Sequence, residues 1–313
     1  MLIDMRDAFF EELVLKAKEN PNIVILSADH GAFALEDFAK NNPKQHINIG
    51  IAEQNMIGVA AGLAASGKIV FVYGISPFVS LKVLEQLTID VAVMQLPVNV
   101  ISVGAGFTYS TDGATHHGLQ DTAAISTIPG MTILNSSDPE NTRAFVDLAI
   151  KSNKPNYIRI EKEKLPSLKR LDTVSLSLQK GFSVIGKRDS KYVIVSTGLT
   201  SQFIAERIES ISISLSLEIK LLDVHQIKPI GVELQKELLS ATGILVIEES
   251  YNSSIAREVK NILVNLEKKA KLVVLDVGEC YIFKGNNRQS LNNSIGISEV
   301  NILEALLTIS KVK

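Results

Sequence analysis

The stretch INIGIAEQNMIGVAAGLAASG, residues 47–67, holds a single carboxylate, Glu53, at the mouth of an otherwise uncharged run. Its small residues, Gly58, Ala60, Ala61, Gly62, Ala64 and Ala65, predict a helix meant to pack very closely against something. A glycine inside a helix costs about 1 kcal/mol against alanine, so its presence implies close approach to the backbone. Glu53 falls in the first turn, where the helix dipole favours a negative charge. Dipole compensation alone would account for it. The rest of the chain changes the odds.

Outward from this helix, short β-branched runs alternate with longer periodic segments. NIVILSAD, KIVFVYG, VNVISVGAG, MTILNSS and PNYIRI read as buried strands. IDMRDAFFEELVLKAKEN, EQNMIGVAAGLAAS, PFVSLKVLEQLTIDVAVMQ and DPENTRAFVDLAIKS read as the helices between them. The last of these has a well-marked start, with a cap at Ser137 or Asp138, Pro139 in the first turn and acids following. Residues 161–181, EKEKLPSLKRLDTVSLSLQKG, then turn charged and polar, which places a first domain at 1–163 and a linker at 164–181. Alternation resumes over 182–313, with strands KYVIVSTG, EIKLLDVH, ILVIEES and KLVVLDV. Its helices are TSQFIAERIES, VELQKELLSA, NSSIAREVKNILVNLEKKA and SEVNILEALLTISK. The expected fold class is α/β: two domains in series, each a mostly parallel sheet with helices on both faces. Any site should gather at the carboxyl ends of the strands.

With 313 residues and 46% hydrophobic content, the chain can bury one large core and more readily two. Lys and Arg number 32 against 34 Asp and Glu, with no basic block interleaved with aromatics, which argues against nucleic acid. MLIDMRDAFFEELVLKAKEN carries acids among its apolar residues, unlike a signal peptide. IVFVYGISPFVSL is broken by Gly and Pro, so no apolar run reaches a membrane span. Cytoplasmic residence is the expectation. The single cysteine, Cys280 in LDVGECYIF, has no base nearby and reads as a packed thiol.

A second stretch, GAGFTYSTDGATHHGLQD at residues 104–121, leaves the sheet edge through Gly104 and Gly106. Asp112, His116, His117 and Asp121 cluster within it. A merely polar surface loop could carry the same residues, and adjacent histidines rarely ligate one ion, so no metal site is expected. Loops at this edge are, however, where α/β proteins place chemistry. TDG followed by Asn135 lacks the first glycine of the Gly-Asp-Gly and Asn signature for diphosphate and magnesium. Neither a Walker loop nor a dinucleotide fingerprint is present. The chain shows no phosphate cradle of its own.

Taken in order, NIGIAEQNMIGVAAGLA, DGATHHGLQD and MTILNSSDPENT strongly resemble the carboxyl-terminal portion of transketolases, especially members split into two polypeptides. The resemblance covers nearly the whole chain: a pyrimidine-binding domain, then a carboxyl-terminal domain matched by LLDVHQIKPIG and GILVIEES. It is less specific about the reaction. Deoxyxylulose-phosphate synthases and 2-oxoacid dehydrogenase β-subunits share the architecture.

The resemblance implies that Glu53 meets the aminopyrimidine ring of thiamine diphosphate in a dry crevice. A charge-assisted hydrogen bond there favours the imino tautomer, which takes the proton from the thiazolium carbon. Phe78 matches the aromatic that stacks on the pyrimidine, although a plain core phenylalanine would read alike. Asp29, in LSADHG, matches a strand-end aspartate near the cofactor. Asp112 matches an acid that reads a ketose hydroxyl, and His116 a histidine that meets the carbonyl oxygen as charge develops. His117 matches the double histidine of deoxyxylulose-phosphate synthases. Arg6 matches an arginine reaching toward sugar substrates, and Arg159 or Lys162, in YIRIEKEK, falls where the family binds substrate phosphate. Gly104, Phe33 and Ile75 stand where family members often carry histidine, serine and phenylalanine.

By the same resemblance, the chain is the carboxyl-terminal subunit of an enzyme that moves a two-carbon ketol unit from a ketose to an aldose. It implies thiamine diphosphate and Mg2+, held mainly by a separate amino-terminal subunit, in a heterotetramer with cofactors at the interfaces. The alternatives are a deoxyxylulose-phosphate-synthase-like or 2-oxoacid-decarboxylating β-subunit and, from a different class, a non-catalytic structural partner. An intact Glu53 beside a complete 112–117 loop argues against the last, since a scaffold has no need of a buried carboxylate.

Overall fold

The computed structural model describes residues 2–251, 254–283 and 285–310. The apolar runs of the first half form most of a seven-stranded sheet, in the order 226–228, 132–135, 156–160, 98–103, 69–75, 23–27 and 46–48. From 132–135 to 46–48 the neighbours are parallel. Ile23–Ser27, Val98–Val103 and Asn156–Ile160 are buried at every position, as a parallel sheet covered on both faces demands. The strand period of two divides their side chains: Val24 and Leu26 face Met56, Ile57 and Ala60, whereas Ile23 and Ile25 face Phe9, Phe10 and Leu13. Helix α1 (Met5–Glu19), capped by Asp4, covers the second face, and the helix Pro139–Lys151 packs beside it. Of the two cap candidates for the latter, Asp138 serves, accepting from the Asn141 N–H at 2.9 Å.

The second half forms a five-stranded sheet in the order 271–275, 243–247, 192–196, 220–224 and 182–186, with the last strand antiparallel. The two α/β units follow one another along the chain as expected, and they interlock at one edge. Gln226–Lys228, from the second half, closes the edge of the first sheet antiparallel to Thr132–Asn135. One apolar cluster runs from Val72, Val100 and Tyr157 through to Phe182, Leu222 and Val246, so the two expected cores are joined.

The 164–181 segment is also better ordered than its composition suggests. Lys164–Leu165 pairs with Ile3–Asp4, and Val174–Lys180 is a short helix capped by Thr173 and ended by Gly181 in the left-handed conformation. Asp138 anchors it, accepting from the Leu168 N–H and from the Arg170 guanidinium. The helix expected over PFVSLKVLEQLTIDVAVMQ is composite: a 3-10 turn at Leu81–Val83, then Leu84–Gln86, then a π-helical stretch Leu87–Val93. Short helices at Phe33–Asn41 (α2), Asp121–Ser126 and Arg288–Ser294 have no counterpart in the periodicity of the sequence. Cys280 is exposed, not packed, and donates weakly to the Val277 carbonyl. Of the segments read as helices, Asn252, Ser253 and Lys311 lie outside the described residues. Among those described, no helix is long and apolar enough to cross a membrane.

Candidate active site

Every parallel strand of the first sheet delivers its carboxyl end to one edge, and all the candidate residues but Arg6 and Arg159 follow those ends. Asp29 comes after Ile23–Ser27, Glu53 after His46–Asn48, Phe78 after Ile69–Ile75, the 104–121 loop after Val98–Val103, and Lys162 after Asn156–Ile160. Topology thus gathers side chains from across the first half, as the general rule for open sheets requires.

Glu53 is the first residue of α3 (Glu53–Ala65) and is 2% exposed. Lys82, from the turn after Phe78, places its Nζ 2.5 Å from Glu53 Oε2 while remaining 45% exposed itself. Burial pushes the Glu53 carboxyl upward, but the Lys82 hydrogen bond, a backbone N–H, the Lys82 charge and His30 together hold it below the ordinary range. Glu53 is therefore a buried anion paired with one partly solvated cation. The small residues divide by position: Ala60, Ala61 and Ala64 face the sheet, whereas a Cβ at Gly58 or Gly62 would meet open space.

Phe78 is half-buried, its ring 5.3 Å from the His116 ring in an edge-on contact, with Lys82 Nζ 5.9 Å from its centroid. Glu53, Lys82, Phe78 and His116 thus form one continuous wall. His116 Nδ1 pairs with Thr115 Oγ1 at 3.0 Å, and among the described residues Nε2 forms no hydrogen bond. Asp112, on the same loop, is exposed. Asp29 is exposed in the left-handed region (φ 58), and its N–H donates to Asn48 Oδ1 at 3.1 Å. Arg6, near the start of α1, is partly buried; its Nε is 3.5 Å from Asp7 Oδ1 and forms no hydrogen bond.

Two candidates are placed differently from the rest. His117 turns inward: it is 6% exposed, its Nε2 is 3.3 Å from the Ser110 carbonyl, and its ring packs against Phe107. Burial lowers its pKa, which favours the neutral ring. Arg159 is a correction. It is 2% exposed, ion-paired to Asp121 at 2.9 Å and bound to the Gly118 carbonyl. Asp121 also accepts from Ser76 and Tyr157, so this group braces the floor of the loop and is closed to a substrate phosphate. Lys162, three residues on, is exposed with its Nζ 5.0 Å from the Tyr109 ring centroid.

The 104–121 loop is held from behind. Gly106 and Gly118 exchange backbone hydrogen bonds, and Glu249 accepts from the Phe107 N–H. Arg288, at the start of its short helix, binds Glu161, Glu163 and Glu249 together and donates to the Ala105 carbonyl. Sequence reasoning misses Arg288 and Lys82 because neither has a local signature. Both act through partners far along the chain. Tyr109 lies within the 104–121 motif, but the acids and imidazoles around it carry the stronger chemical signal.

The donor set fits one end of thiamine diphosphate: a buried carboxylate for a ring nitrogen and a half-exposed aromatic face beside it. Among the described residues, no cluster of three or more His, Cys, Asp or Glu suited to an ion occurs.

Residues 2–167 match the family described as transketolase, pyrimidine binding domain. The chain is 34% identical over 250 residues to an apulose-4-phosphate transketolase subunit of Phocaeicola vulgatus, covering 79% of each chain. It is 31% identical to the 6-deoxy-6-sulfo-D-fructose transketolase subunit SqwH of Clostridium sp. (strain MSTE9), covering 79% of this chain and 76% of that one. Among solved structures, one described as a split gene transketolase, inactive beta4 tetramer, superposes with a TM-score of 0.83 at 27% identity over 98% of both chains.

Proposed function

This chain belongs to the transketolase family, and we propose that it is the carboxyl-terminal subunit of a two-chain enzyme transferring a two-carbon ketol unit from a ketose to an aldose. The observation that carries the reading is Glu53: a carboxylate buried to 2% at a helix start, on the same wall as Phe78 and His116. Thiamine diphosphate, when bound, supplies the nucleophilic carbon that breaks and re-forms the carbon–carbon bond of the sugar.

The chain's own residues do the rest. Glu53 holds a proton at a pyrimidine ring nitrogen, and Phe78 offers that ring an aromatic face. His116 directs Nε2 at the sugar carbonyl, where negative charge develops during transfer. Asp112 accepts from a neutral hydroxyl near the carbonyl and repels a 2-oxoacid carboxylate. Arg6 and Lys162 place cations toward the far end of the sugar, which suits a substrate carrying a phosphate or sulfonate. The names of the two relatives, a sugar phosphate and a sulfosugar enzyme, are of that kind.

The diphosphate and Mg2+ are assigned mainly to an amino-terminal partner, in a cytoplasmic heterotetramer. The open Gly58 and Gly62 face of α3, with the exposed side chains of Ile51 just before it and Phe33 at the start of α2, supports a close-packed partner there. The test is ketol transfer by the reconstituted pair, from fructose 6-phosphate, 6-deoxy-6-sulfofructose or pyruvate to an aldose phosphate. Transfer from a ketose is expected. Carbon dioxide release from pyruvate without transfer from any ketose would move the chain to the decarboxylating branch.

A further inference from the structure

Gly104 and Tyr109 are built around each other. Gly104 adopts φ +99, and a Cβ there would lie 2.3 Å from Tyr109 Cε2 and 2.6 Å from Cδ2. Any other residue would push the tyrosine ring from its seat. The ring therefore occupies the space beside Gly104, just past the carboxyl end of strand Val98–Val103. From that seat it lies close to two candidate site residues. Its centroid is 6.1 Å from the His116 ring and 5.0 Å from Lys162 Nζ.

The tyrosine is half-buried, yet among the described residues no hydrogen bond to its hydroxyl is formed. Elsewhere in the first sheet the buried tyrosines satisfy theirs: Tyr73 donates to the Gly31 carbonyl, and Tyr157 donates to Asp121 with the Ser102 hydroxyl also in hydrogen-bond contact. The Tyr109 hydroxyl, by contrast, is not a buried orphan: it keeps access to solvent, and so to a ligand.

We propose that Tyr109 is a specificity-determining residue of this site: its hydroxyl hydrogen-bonds the sugar chain between the carbonyl end, at His116, and the anionic end, at Arg6 and Lys162. The inference rests on the ketol-transfer reading and deepens it. A neutral phenol can both donate to and accept from a sugar hydroxyl, which a cation in the same place cannot. Burial, with Tyr73, Asp112 and Glu163 nearby, pushes the phenol up to about 12 against the opposing pull of Arg6, so it stays neutral over the working range. Lys162 over the ring face also steadies the seat through a cation–π contact.

Tyr109→Phe separates this role from packing, because it keeps the ring, the contact with Gly104 and the face beneath Lys162. In the reconstituted pair, KM for fructose 6-phosphate or 6-deoxy-6-sulfofructose should rise roughly tenfold, the cost of one lost hydrogen bond. The kcat, the thiamine diphosphate affinity and the melting midpoint should stay near those of the unaltered enzyme. KM for erythrulose, a short uncharged ketose, should change much less, so discrimination between long and short donors shrinks. An unchanged ratio of kcat/KM between long and short donors would overturn the role of Tyr109 while leaving ketol transfer standing. Absence of transfer from every ketose in the unaltered pair would instead strike the underlying reading, and this inference with it.

Discussion

Lys82 Nζ stands 2.5 Å from Glu53 Oε2, pairing a partly exposed cation with a carboxylate that is almost wholly buried. The two residues come from different βα turns of the sheet, and the pair explains why a run of small uncharged residues admits one glutamate. Burying a carboxylate is costly unless it is paired and hydrogen-bonded. Lys82 does both from the solvent side, which keeps Glu53 ionised without closing the crevice around it.

Glu53→Gln should fold normally, since the amide is nearly isosteric and Lys82 retains solvent. It should cut activation of the cofactor by about 10²- to 10⁴-fold, the usual worth of a positioned acid–base group. Hydrogen–deuterium exchange at the thiazolium carbon in the reconstituted enzyme measures this directly. Exchange at the unaltered rate would reduce Glu53 to a helix-start residue.

Lys82→Met should destabilise the chain by about 1–2 kcal/mol at pH 7, at the low end for a broken pair because the lysine is half solvated. The sign with pH follows from Glu53, whose folded pKa is depressed. Its contribution is present above the ordinary carboxylate value and is lost as pH falls through the depressed one. Without Lys82 the carboxyl keeps the upward push of burial and protonates more readily. The gap between the two proteins in urea unfolding should therefore narrow from pH 7 to pH 4; a gap that widens would contradict the pairing.

Arg159 and Lys162 should separate cleanly on substitution. Arg159→Met leaves Asp121 buried with its cation gone and should cost about 3–5 kcal/mol of stability. Lys162→Ala should leave the urea midpoint nearly unchanged, as befits an exposed side chain, yet raise KM for a phosphorylated ketose about tenfold or more. Loss of stability in the Lys162 variant with unchanged KM would reverse these assignments.

What could be read from sequence was local. Pro139 behind an acidic cap, the continuous apolar strands and the glutamate opening a small-residue helix each carry their meaning within one or two turns, and each formed as expected. What could not be read depends on residues far apart. Nothing near Arg159 distinguishes it from an available cation; its burial follows from Asp121, whose helix folds back beneath the loop. Lys82 reaches Glu53 only because the segments that follow strands 46–48 and 69–75, which are not neighbours in the sheet, meet at its carboxyl edge. Gln226–Lys228 is three residues long and joins a sheet belonging to the other half, so no periodicity could announce it. The value of Gly104 likewise emerges only once its positive φ and the Tyr109 ring are seen together.

The central claim, that half of a cofactor site resides here and the rest in a partner, is tested most directly by calorimetric titration of thiamine diphosphate with Mg2+. The titration is run into this chain alone, into the amino-terminal partner alone, and into the two mixed. Tight, Mg2+-dependent binding is predicted for the mixture, weakened by Glu53→Gln, with no tight binding by this chain alone. Tight Mg2+-dependent binding by the isolated chain would contradict the two-subunit account.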